Sequence, residues 1–200
     1  SFFAVVVATP SILWIIPQIA PAILVFDIST KTIIRTLDAW PTAAVKAAMS
    51  DYAFTGVARI ANVIFLVPHV AAVVVGIDVN TEKMQSYDQW PQELNIDTDA
   101  GAGLKSGTAA PTGAANGWEV WMAPAFANRV VALNPMTGNM RGFSQWPEGF
   151  ASPSITNRYP LGGIVFADGG IWMAPRMSRM VVRLDPATGV MRGFSNFPAI

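Results

Sequence analysis

The sequence predicts an all-β fold, a β-propeller built of four-stranded antiparallel blades, and three observations carry that expectation. One segment is written twice. Residues 172–198, WMAPRMSRMVVRLDPATGVMRGFSNFP, repeat residues 121–147, WMAPAFANRVVALNPMTGNMRGFSQWP, with sixteen of twenty-seven positions identical. Looser copies at 65–91 and 14–41 make four units, and their internal spacing is constant. Pro17, Pro68, Pro124 and Pro175 stand 51, 56 and 51 residues apart, as do Asp27, Asp78, Asn134 and Asp185, and Thr30, Thr81, Thr137 and Thr188. Fixed spacing with connectors of variable length marks one supersecondary unit repeated. Composition is the third observation. Val, Ile and aromatic residues are plentiful, while 16 Gly and 15 Pro punctuate the chain, which favours strands and turns over helices.

Within a unit the pattern predicts four short strands. The first is small and apolar, as in 54–58 (FTGVA) and 161–166 (LGGIVF). Glycine weakens a strand and marks a place where backbones crowd, as on the innermost strand of a radial sheet. The second strand, 171–174, stops at Pro175, which has no N–H for a central ladder. A loop of three to five residues leads to a β-rich third strand at 180–184. Asp185-Pro186-Ala187-Thr188-Gly189 reads as a tight turn, in which Asp bonds its downstream backbone, Pro presets φ and Gly takes the left-handed position. The fourth strand, 190–195, sets Met191 and Phe194 among polar positions and ends near Phe197-Pro198. Four antiparallel strands in about fifty residues, repeated, is the plan of a propeller blade. Blades are expected at about 1–41, 52–91, 104–147 and 159–198.

Three segments depart from the clearest copies of the repeat. Residues 2–26 are almost wholly apolar and would satisfy a hydropathy window for a membrane span. Pro10, Pro17 and Pro21 interrupt the run, and 14–17 and 22–27 align with 172–175 and 180–185, so two buried strands and no span are expected. Residues 43–50 read as a short helical or irregular connector, because Ala and Lys dominate and β-branched residues thin out. Residues 95–117, NIDTDAGAGLKSGTAAPTGAANG, read as a surface loop plus a weak inner strand that absorbs the longer step.

Charge and cysteine content narrow the function classes. Charged residues are 13% of the chain with a formal net charge of zero, and no basic run offers an electrostatic footprint for nucleic acid. With no cysteine, disulfides and thiolate metal sites are excluded.

The run Trp-x-x-Pro, followed by Val, then Leu-Asp-Pro-x-Thr-Gly, a Phe and a closing Pro, resembles blades of the streptogramin lyase (virginiamycin B lyase-like) propellers. It is also similar to NHL and YVTN-type repeats. The residues that carry the likeness are Trp172, Pro175, Val182, Leu184, Asp185, Pro186, Thr188, Gly189, Phe194 and Pro198, with their upstream copies. The resemblance implies a seven-bladed propeller with a magnesium-assisted site whose catalytic groups are histidines and a glutamate near the central axis. This chain has one histidine, His69, which does not fall on that family's catalytic motif.

Candidate site residues lie chiefly in the loop after the second strand of each unit. His69 follows Pro68; Asn128 and Arg129 occupy the third unit's copy, and Arg176 and Arg179 the fourth's. Loops at one end of a repeat fold are its usual binding surface. Asn95, Asp97 and Asp99 alternate as calcium-loop oxygens do, but Ala100 stands where a glycine would follow and no glutamate closes the loop, so turn chemistry is the first reading. Asp27, Asp78, Asn134 and Asp185 are expected to cap their own turns rather than form a carboxylate ring. Trp40, Trp90, Trp146 and Phe197, each before a Pro, are expected to pack between blades.

The chain starts at Ser1 and ends just after a blade motif, so an open segment of a larger propeller is expected over a closed four-blade ring, with further blades in a longer parent chain. The functional expectation is a non-catalytic propeller binding a protein, peptide or carbohydrate and holding no cofactor. The alternative is a metal-assisted lyase or lactonase, using magnesium or calcium, with its catalytic blades outside this segment.

Overall fold

The structure, a computed structural model, describes residues 1–49, 51–94, 101–112, 117–154 and 156–197. Among the described residues, sixteen strands and one short helix follow in chain order. The first sheet holds β1 (Phe2–Thr9), β2 (Ile12–Pro17), β3 (Ile23–Asp27) and β4 (Thr32–Leu37). After α1 (Ala43–Ala48) comes the second, with β5 (Phe54–Ile60), β6 (Val63–Pro68), β7 (Val74–Asp78) and β8 (Met84–Tyr87). The third is β9 (Leu104–Pro111), β10 (Trp118–Pro124), β11 (Val130–Leu133) and β12 (Met140–Phe143). The fourth is β13 (Leu161–Ala167), β14 (Gly170–Pro175), β15 (Val181–Leu184) and β16 (Met191–Phe194). Each sheet pairs its strands antiparallel in chain order, a meander in which every connection is local. These are four propeller blades.

The chain divides into two compact units, one carrying β1–β8 with residues 101–102, the other carrying β9–β16 with residues 89–94. Their cores use the same positions of the repeat. In the first unit Trp14, Ile16, Ile23 and Val25 of one blade belong to one buried cluster with Phe54, Ile64, Leu66, Val75 and Ile77 of the next. In the second unit Trp121, Ala123, Val130 and Ala132 share a cluster with Leu161, Ile171, Met173, Val182 and Leu184. Every residue of the second set stands 107 positions after its counterpart in the first. The period-2 alternation of a strand sends these side chains to one face, and each large one buried contributes roughly 1.5–3 kcal/mol.

Residues 2–26 form three strands, not two. The third is β1, which aligns with the inner strand of the other blades and leaves Val5 61% and Val7 53% exposed. An all-apolar run hides such a half-exposed strand, because alternation is invisible when both faces are apolar. Among the described residues no helix is long and apolar enough to cross a membrane. Of the two forms expected for the connector the helical one is present, and Thr42 caps α1 by accepting the Val45 N–H. The glycines of the first strand do not mark crowding in the fourth blade, where a Cβ on Gly163 would meet nothing within 4 Å. Crowding falls on other strands, the fourth strands among them. A Cβ on Gly142 would collide with Cδ of Arg129, and one on Gly193 with Sδ of Met180.

Candidate ligand-binding loops

The loop after each anchor proline is held by one device. The carbonyl just ahead of the blade's first strand accepts backbone N–H groups from the residues that follow the proline. Ser1 O takes Gln18 and Ile19; Ala53 O takes His69 and Ala71. Gly103 O takes Ala125, Phe126 and Ala127, and Pro160 O takes Arg176, Met177 and Ser178, at 2.7–3.3 Å. A second tie comes from the closing tryptophans. Trp40 Nε1 donates to Pro21 O at 2.7 Å and Trp146 Nε1 to Asn128 O at 3.3 Å, each acceptor lying four residues past its anchor proline. Their rings stack on Phe54 and Phe150, with centroids 5.9 and 4.9 Å apart. The backbone of these loops is thus fixed by strand-end groups, leaving the side chains free to differ.

Each first strand carries a β-bulge near its start, opposite the anchor proline. The register steps from Phe2 to Ala4, from Phe54 to Gly56, from Leu104 to Ser106 and from Leu161 to Gly163. The extra residue is Phe3, Thr55, Lys105 or Gly162, so only the third blade places a cation there. Bulges re-aim the side chain they carry. Nζ of Lys105 lies 5.7 Å from the centroid of the Tyr159 ring, and Cζ of Arg176 lies 4.8 Å from the same centroid. Arg158 sits over Phe126, 5.2 Å from its centroid. Tyr159 is pinned between two loops: its N–H donates to Ala125 O, while the next carbonyl, Pro160 O, anchors the Arg176 loop. Its φ of 60° is left-handed, a costly conformation for a tyrosine. Burial, and then the nearby Arg176 charge, hold the Lys105 ammonium below its ordinary pKa. Beside this cluster Met177, Ser178, Arg179 and Met180 border a cavity of about 530 Å³ with Glu148 and Phe150.

No protein-family profile matches the chain, and no curated protein matches it significantly. Solved structures do. A streptogramin B lyase superposes with a TM-score of 0.63 at 15% identity, covering 96% of this chain and 53% of the lyase. A catalytically inactive virginiamycin B lyase from Staphylococcus aureus, with quinupristin, gives 0.66 at 16% identity, covering 98% and 56%. An extracellular domain assigned to a one component system of B. thetaiotaomicron gives 0.63 at 12%, covering 98% and 22%. The fold is that of a streptogramin lyase-like propeller. This propeller chain spans about half the length of the lyases it matches.

The remaining candidate residues occupy different surroundings in the propeller. His69 is buried, 8% exposed, and its backbone N–H is one of those held by Ala53 O. Asn128 and Arg129 turn toward the segment ahead of β9. Asn128 Nδ2 donates to Glu93 O at 3.0 Å, while Arg129 pairs with Glu93 Oε2 at 3.1 Å, its stem lying over Gly142. Arg176 and Arg179 are exposed and diverge, one toward Tyr159 and the other toward the cavity. Asn95, Asp97 and Asp99 lie outside the described residues. Among the described residues no three His, Asp or Glu side chains gather as metal ligands would.

Asp27, Asp78, Asn134 and Asp185 each cap a turn. In every case Oδ1 accepts the N–H of the second and third residues on, at 2.7–3.2 Å. Sequence reading passed over Lys105, Arg158, Tyr159, Glu148 and Phe150. Aligning the first strands would have shown Lys105 as a cation where the other blades carry Phe3, Thr55 and Gly162.

Proposed function

We propose that the chain is part of a non-catalytic propeller that binds a protein segment, a peptide or a carbohydrate at the loops following its anchor prolines. The observation that carries this reading is a constant frame under variable side chains. One pattern of carbonyl-to-loop hydrogen bonds recurs in all four blades, yet the first residue it holds is Gln18, His69, Ala125 or Arg176. A scaffold that keeps its backbone and changes its display is arranged for recognition. In the second unit the loop opens on the cavity of about 530 Å³, a size suited to a small ligand or a side chain. Arg179 and Glu148 supply its charges, Phe150 and Met180 its apolar wall.

Thermal-shift measurement of the chain against a panel of oligosaccharides and short peptides tests the reading. At least one member is expected to raise the melting temperature, and Arg179→Ala or Phe150→Ala is expected to abolish that rise. A shift of full size in both variants would refute it.

The second reading, a metal-assisted lyase or lactonase with catalytic groups in blades outside this segment, draws on the fold shared with the lyases. Fold alone is a weak guide to chemistry. Incubation of a longer parent protein carrying the further blades with quinupristin and magnesium is expected to leave quinupristin unchanged, and its conversion would put the lyase reading first. Titration with magnesium or calcium is expected to leave the melting curve in place.

A further inference from the structure

We infer that the second unit holds an oxyanion site, in which the carboxylate or phosphate group of a ligand is taken between Lys105 and Arg176 at the Tyr159 ring, with Arg158 beside it. The inference deepens the loop-binding reading above and rests on it. Three separate chain segments supply the cations: the bulge of β9, the linker ahead of β13 and the loop after Pro175.

Their arrangement is hard to explain as scaffolding. A cation over an aromatic ring is stabilising, and one would serve a structural contact. Here Lys105 and Arg176 share one ring, so their charges lie no farther apart than the two ring distances combined. The depressed Lys105 pKa has Arg176 among its causes, which is the signature of like charges in proximity. The ion pairs among the described residues join Arg35 to Glu82, Arg129 to Glu93 and Arg141 to Glu119. Among those residues no carboxylate reaches Lys105 or Arg176.

Repulsion of this kind is relieved by an anion placed between the charges. The guanidinium fork of Arg176 and the ammonium of Lys105 suit an oxyanion with two or three acceptor oxygens. The surroundings hold the pair in place. The bulge directs Lys105, and the left-handed Tyr159 is fixed from both sides by Ala125 O and by the Pro160 anchor. In the fourth blade the bulge residue is Gly162, where an added Cβ would lie 3.4 Å from Cβ of Arg176, so no side chain there competes for the space. Strain kept at a residue that gathers like charges is the pattern of a preformed site.

Isothermal titration of the chain with inorganic phosphate, with D-glucuronate and with neutral D-glucose, at low and physiological salt, tests the site. At least one anion is expected to bind more tightly than glucose, with affinity falling as salt rises. Which anion binds tells a phosphate ligand from a carboxylate. Lys105→Gln and Arg176→Gln are each expected to weaken anion binding roughly tenfold, while Arg192→Gln, an exposed cation on β16, leaves it unchanged. Anion binding that survives at full strength in both site variants overturns the inference. So does the absence of anion binding by a chain that circular dichroism shows to be folded. If anions fail while a neutral panel ligand still depends on Arg179 and Phe150, the oxyanion site falls and the loop-binding reading stands.

Discussion

Gly142 and Gly193 lie in the fourth strands of their blades, each beneath a long side chain from the third-strand side. Over Gly142 that side chain is Arg129, fastened by Glu93 Oε2 and by Asn128 Oδ1. Over Gly193 it is Met180, whose thioether can swing aside. Gly142→Ala is therefore expected to cost about 1–3 kcal/mol by overpacking, and Gly193→Ala clearly less. Chemical denaturation of the two variants checks the ranking, and equal losses would contradict it. The repeated Met-Arg-Gly-Phe makes both glycines conspicuous in the sequence, but what crowds them comes from another strand, which linear spacing does not name. The same limit applies to Arg141, which pairs with the buried Glu119 and lies over Trp121 and Phe143. In the next blade Gly170 stands in place of Glu119, and the cation over Trp172 is Arg183, from a different strand.

At the scale of elements, the turns between third and fourth strands were legible almost in full. An Asp or Asn followed three residues later by Thr encodes its own hydrogen bonds, and all four turns make them. The left-handed position was legible only by half. It is Gly138 and Gly189 in the last two blades, but Lys31 and Glu82 in the first two, at φ of 59° and 58°. A non-glycine residue there costs roughly 1–2 kcal/mol, part of which glycine recovers against its greater freedom in the unfolded chain. Lys31→Gly is expected to stabilise the protein by roughly 0.5–1 kcal/mol, read as a raised melting temperature. A fall would show that the Lys31 turn is held by something other than its backbone. The loops after the anchor prolines were legible as loops, but not their common anchor, since the carbonyl that holds each one precedes a different strand.

For the molecule as a whole, three of the four turn caps are carboxylates, and this predicts a pH dependence. The Ser29 hydroxyl, then the Thr30 and Ser29 N–H groups, lower the pKa of Asp27; the Thr81 N–H leads for Asp78 and the Thr188 N–H for Asp185. Folded pKa values below the ordinary 3.8 mean that the stabilisation is fully present above that pH and is lost as pH falls through the lowered values. The melting temperature is expected to drop as pH is taken from 5 toward 3. Combining Asp27→Asn, Asp78→Asn and Asp185→Asn, which copies the natural cap Asn134, is expected to flatten that drop. An unchanged slope in the triple variant would assign the acid sensitivity to other groups.

Legible in the chain alone were the four repeats, the four-strand meander of the later blades and the turn caps. These follow from spacing, alternation and turn chemistry, which act over a few residues and recur at a fixed period. Tertiary structure alone decided which side chains meet at the loop ends. Lys105 and Arg176 flank Tyr159 at separations of 54 and 17 residues, brought together by a bulge, a left-handed tyrosine and a shared carbonyl anchor. Residues that differ between copies leave no period in the sequence, so only the folded backbone could show that these cations converge.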